Sequence, residues 1–89
     1  MKNTKELLGN IQSHMQNIGS EKPNWMKNFQ GFMQSSKSEG ELSHKMKEII
    51  GIAISVKQQC TRCIAWHVKN ALDAGATRGE IIEAGLVAI

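Results

Sequence analysis

The sequence predicts an all-α fold, and three observations carry that expectation. Apolar residues recur at the helical period along most of the chain. The residue mix is rich in Ala, Leu, Ile, Met, Lys and Glu, with few β-branched runs and one proline. Capping residues stand just before the periodic segments. The chain has 89 residues, the size of one small domain.

The elements follow in order. Leu7, Leu8, Ile11, Met15 and Ile18 share one face of a helix over residues 4–18, with Thr4 as its expected N-cap. Gly19-Ser20-Glu21-Lys22-Pro23 is expected to break it, and Pro23 opens a second helix, where its missing N–H costs nothing. Trp25, Met26, Phe29, Phe32 and Met33 line that second helix, and Ser35 to Gly40 reads as a polar linker. Ser43 caps a third helix over 43–57, with Met46, Ile49, Ile50, Ala53, Ile54 and Val56 as its apolar arc. Gly51 inside it costs about 1 kcal/mol relative to Ala, and close approach of a neighbouring backbone is the expected return. A fourth helix runs from Thr61 to Ala74, ended by Gly75 as its C′ residue. Thr77-Arg78-Gly79-Glu80 matches a capping box and opens a fifth helix with Ile81, Ile82, Leu86 and Val87. The whole reads as a single domain over 1–89, with N-terminal helices in 1–40 and a helical core in 42–89. The apolar pattern runs up to Ile89 without a cap, which suggests a core truncated at its C-terminal end, or one covered by a second subunit.

Composition excludes several classes. The net charge of +3 is small and scattered, so nucleic acid is not an expected partner. The longest apolar run, about Ile49 to Val56, is far short of the roughly 18 residues a membrane span needs. The leading Met1-Lys2-Asn3-Thr4-Lys5 runs into Glu6 with no long apolar stretch, so no signal peptide is read and a cytoplasmic location is expected. Two cysteines cannot staple a secreted scaffold, and in the cytoplasm such a pair points to catalysis or metal binding.

That pair lies in Cys60-Thr61-Arg62-Cys63-Ile64-Ala65-Trp66-His67. At about 100° per residue, Cys60, Cys63 and His67 fall within roughly 60° of one another on a helix. The two thiols are one turn apart, within disulfide reach, and His67 stands four residues after Cys63. A helix N-terminus and an adjacent imidazole both favour thiolate, the reactive form. Such a pair can cycle: one thiolate attacks a peroxide or a disulfide, and the other resolves the product as an internal disulfide. Two other readings stay open. Tetrahedral zinc needs four ligands, and only three cluster here, with His14 and His44 far off in sequence. Alternatively both cysteines pack as small hydrophobes beside a hydrogen-bonded histidine. Covalent haem is excluded by Ile64, and an iron–sulfur cluster by the cysteine count.

Glu48 sits at the edge of the third helix's apolar arc, beside Ile52. By periodicity alone it reads as a solvated carboxylate. In an antiparallel hairpin of the third and fourth helices, Glu48 and His67 each lie about two turns from the loop. They can then meet, with Glu48 orienting His67 in a relay. Trp66 is expected in a core, an interface or the wall of a thiol pocket. Met15, Met26, Met33 and Met46 read as core filler, and Lys45 and Lys47 as a solvated face.

Taken together, Glu48, Cys60, Cys63 and His67, followed by Ala74-Gly75-Ala76-Thr77 before Glu80-Ile81, resemble the alkylhydroperoxidase D-like, carboxymuconolactone decarboxylase superfamily. The resemblance covers about residues 42–89. It implies all-α helical hairpins packed in a homo-oligomer, as a dimer, trimer or hexamer. It implies a thiol-dependent peroxidase or disulfide oxidoreductase acting in antioxidant defence, with Cys60 and Cys63 as redox pair and Glu48 and His67 as proton relay. The substrate would be a peroxide or a disulfide. There would be no bound cofactor or metal, only an external thiol or dithiol reductant or a redox partner protein. Redox members often carry a His between the cysteines, where this chain has Thr61 and Arg62. Arg62 can stabilise a nearby thiolate. The alternatives are a non-enzymatic redox-sensing oligomer and a γ-carboxymuconolactone decarboxylase-like activity, against which the cysteine pair speaks.

Overall fold

The computed structural model describes residues 3–89; Met1 and Lys2, where the leader reading begins, lie outside the described residues. Five helices follow one another: α1 (Thr4–Glu21), α2 (Pro23–Lys37), α3 (His44–Lys57), α4 (Thr61–Asp73) and α5 (Arg78–Val87). Among the described residues there is no strand, so the fold is all-α as predicted. None of these helices is long and apolar enough to cross a membrane. The chain divides into two compact units, one ending at Ser38 and one running from Glu39 to Ile89.

In the first unit α1 packs on α2. The cap of α1 is Asn3 rather than Thr4: the Asn3 side chain accepts the Glu6 N–H at 2.8 Å. Gly19 and Ser20 do not break α1, which continues to Glu21. The break is set by Pro23, which drives the residue before it out of the helical region, and Lys22 accordingly sits at φ −132°, ψ 68°. Leu7 and Met26 are buried here, while Trp25 and Phe29 stack with ring centroids 5.2 Å apart.

In the second unit α3 packs against both α4 and α5. Ser43 caps α3 by accepting the Met46 N–H. The core is Ile52, Ala71, Ala76 and Ala84, flanked by Ile49, Val56, Val68 and Ile81. The buried stripe of α3 differs from the predicted arc: Glu48, Ile52 and Ser55 face inward, while Met46, Ile50 and Ile54 are exposed. One helix covered on two sides needs small or hydrogen-bonded residues where its neighbours come close. Ser55 meets that need by donating its hydroxyl to the Gly51 carbonyl at 2.6 Å.

Both hairpin turns of this unit close in the same way. After α3 the Cys60 N–H bonds the Ser55 carbonyl and the Gln59 N–H bonds the Val56 carbonyl. After α4 the Ala76 N–H bonds the Ala71 carbonyl and the Gly75 N–H bonds the Leu72 carbonyl. These are Schellman closures, which require a left-handed residue at C′. Gly75 fills that place at φ 93°, as predicted, and Gln59 fills the other at φ 56° without being glycine. The Thr77–Glu80 capping box at the head of α5 is present in full.

Candidate functional site

The α3–α4 turn places the cysteines. Cys60 does not lie on the helix face; it is the N-cap of α4, with extended backbone, and its Sγ accepts the Cys63 N–H at 3.3 Å. Cys63 sits in the first turn. The two are joined as a disulfide, with Cα atoms 5.2 Å apart. Both sulfurs therefore lie at the positive end of the α4 dipole, which favours thiolate once the bond is reduced. Cys60 and Cys63 are half-buried, and Thr61 and Arg62 between them are exposed.

One turn further on, His67 turns toward α3. Its Nδ1 lies 2.8 Å from Glu48 Oε1, and Glu48 is only 1% exposed. The solvated reading of Glu48 is thus overturned: the hairpin buries it. An ionised carboxylate only accepts, so the imidazole presents Nδ1–H to it and leaves Nε2 as the basic nitrogen. Such pairing is what makes a buried carboxylate tolerable.

Gly51 makes this contact sterically possible. A Cβ built there falls 2.6 Å from His67 Nδ1 and 2.8 Å from Cε1. The close neighbour is an imidazole, not the backbone expected from the sequence. The ring lies where any side chain at position 51 would stand, one turn from Glu48.

Two residues enter the neighbourhood that sequence reasoning left aside. His44 Nε2 lies 3.9 Å from the second carboxylate oxygen of Glu48. Its distance along the chain from the cysteines hid it, although its i,i+4 spacing to Glu48 was the available signal. Lys45, expected on a solvated face, bonds Glu80 Oε2 at 3.1 Å and ties α3 to the head of α5. The Thr77 N–H and the Lys45 ammonium hold the Glu80 carboxyl below its ordinary value. Trp66 is half-buried beside the motif. Among the described residues, no group of three or more His, Cys, Asp or Glu is arranged to hold a metal ion.

Comparison with known proteins identifies the family and supports the fold. Residues 23–89 match the carboxymuconolactone decarboxylase family. An uncharacterized protein of Cupriavidus necator is 33% identical over 79 residues, which are 89% of this chain and 70% of the relative. Uncharacterized protein 4 in the cox locus of Paracoccus denitrificans is 41% identical over 51 residues, 57% of this chain and 46% of that protein. The crystal structure of an apo carboxymuconolactone decarboxylase family protein from Legionella pneumophila superposes with a TM-score of 0.87 at 29% identity. It covers 96% of this chain and 76% of that one. A Methanobacterium thermoautotrophicum protein superposes at 0.67 with 39% identity, covering 78% of each chain. The chain belongs to the carboxymuconolactone decarboxylase family, and its cysteine pair fits the redox branch.

Proposed function

We propose that this chain is a thiol-dependent peroxidase or disulfide oxidoreductase of the alkylhydroperoxidase D-like kind. One observation carries the reading. A CxxC pair stands at a helix N-terminus, and the histidine one turn on is held at 2.8 Å by a buried carboxylate. A decarboxylase has no use for that pair.

In the reduced protein, His67 Nε2 takes the Cys63 thiol proton, and Glu48 stabilises the imidazolium that results. The Cys63 thiolate attacks the terminal oxygen of a hydroperoxide and breaks the O–O bond. The sulfur becomes a sulfenic acid, and the alkoxide leaves with the proton returned by His67. The Cys60 thiol then displaces water from the sulfenic acid and closes the disulfide. An external dithiol, or a redox partner protein, returns both sulfurs to thiols. No bound cofactor is needed for these steps. The reading sets this chemistry in a reducing cytoplasm, in a homo-oligomer that covers apolar residues such as Leu86 and Val87, which are 63% and 84% exposed.

The test is single substitution of each cysteine. Cys63→Ser is expected to abolish peroxide consumption. Cys60→Ser is expected to accumulate a sulfenic acid at Cys63 that a dimedone probe captures. Full turnover by Cys63→Ser overturns the assignment.

A further inference from the structure

Glu48 faces a histidine on each of its oxygens. Oε1 meets His67 Nδ1 at 2.8 Å, and Oε2 lies 3.9 Å from His44 Nε2. The two imidazoles differ in exposure: the His44 side chain is 38% exposed and that of His67 21%, with a carboxylate of 1% between them. At 3.9 Å the His44 contact is an ion-pair distance rather than a direct hydrogen bond, so it acts through charge.

We propose that His44 is a positioning residue of the Glu48–His67 pair, coupling the charge at the protein surface to the basicity of His67. The proposal deepens the redox reading above and rests on it for its consequence. Two imidazolium ions beside one carboxylate repel each other, so a proton on His44 opposes a proton on His67. Neutral His44 draws less on the Glu48 charge and leaves more of it to His67, which is then the stronger base toward the Cys63 thiol. Protonated His44 takes part of that charge and weakens His67 as a base. The charge on His44 thereby sets how far Glu48 supports His67 as a base.

Other charged groups stand on the same helix and on the elements packed against it. The Glu39 carboxylate accepts the backbone N–H of His44 at 3.0 Å, which is a helix-start contact. On α3 itself stand Lys45, Lys47 and Glu48, and from α5 comes Glu80, which is paired to Lys45. From α4 comes His67. Among these ionic contacts, Glu48 is the group that links His44 to the relay.

The experiment follows His67 directly, by its ring resonances in a pH titration of the full chain, in wild type, His44→Gln and His44→Lys. Gln removes the titrating charge, and Lys fixes it. The His67 midpoint is expected to move up in His44→Gln and down in His44→Lys, each by about half a unit to one unit, as neighbouring like charges do. The acid limb of iodoacetamide alkylation of the reduced protein should move in the same two directions. A merely structural role cannot give shifts of opposite sign. Unmoved midpoints, or shifts of the same sign in both variants, overturn the proposal. If wild type consumes no peroxide yet the opposed shifts are found, the coupling stands and the peroxidase reading falls.

Discussion

A carboxylate with 1% exposure is stable only where its charge is answered, and Glu48 is answered by imidazoles. Removing His67 leaves that charge facing a vacated space. His67→Ala is therefore expected to lower unfolding free energy by about 3 kcal/mol, read by urea denaturation, as well as to disable the site. Glu48→Gln keeps the shape but cannot stabilise an imidazolium. It should cut peroxidase kcat/KM by about 100-fold, measured by steady-state kinetics with a dithiol reductant. Gly51→Ala gains about 1 kcal/mol of helix propensity but puts a methyl 2.6 Å from His67 Nδ1. The ring must move off Glu48, so activity should fall about tenfold, and thermal stability should fall too, because the lost Glu48 contact outweighs the propensity gain. At this scale Cys60, Cys63, His67 and Glu48 were all legible as candidates, because spacing on a helix is a local property. The burial of Glu48 and the partner of Gly51 were not, because both depend on which face of α4 meets α3.

At the scale of the element, caps and turns decide where the helices begin and end. Ser43, Pro23, Gly75 and the Thr77–Glu80 box were readable because each acts within three or four residues of itself. The break predicted over Gly19–Pro23 falls at its far end, at Lys22, since a glycine permits a helix to continue while a following proline forbids it. Gln59 could not be identified as a left-handed residue from its type. It occupies the same C′ place as Gly75, and Gln59→Gly should raise stability by roughly 0.5–1 kcal/mol, checked by thermal and urea unfolding. Glu80 gives a pH dependence of definite sign. Its folded carboxyl lies below the ordinary glutamate value. The stability it adds is present above about pH 4.3, the unfolded value, and is lost as pH falls through the lowered folded value. Glu80→Gln should flatten that part of the acid limb in a stability–pH curve.

At the scale of the molecule, the all-α class was legible from periodicity alone, since every helix has its own amphipathic or capping signal. The outward placement of Ile50 and Ile54 was not, because a helix covered on two sides no longer buries one simple arc. Those side chains, with Leu72, Leu86 and Val87, leave much apolar surface in the second unit. Leu86→Glu is expected to shift a concentration-dependent oligomer toward monomer in sedimentation velocity; a wild type that is monomeric at all concentrations contradicts the assembly proposed above. The central claim concerns chemistry, namely that the Cys60–Cys63 pair turns over under control of Glu48 and His67. Its most direct measurement is peroxide consumed per mole of protein with excess dithiol, in wild type and Cys63→Ser. The account predicts many equivalents consumed by wild type and none above background by the variant. Consumption that stops at one equivalent in wild type contradicts it and makes the pair a sensor.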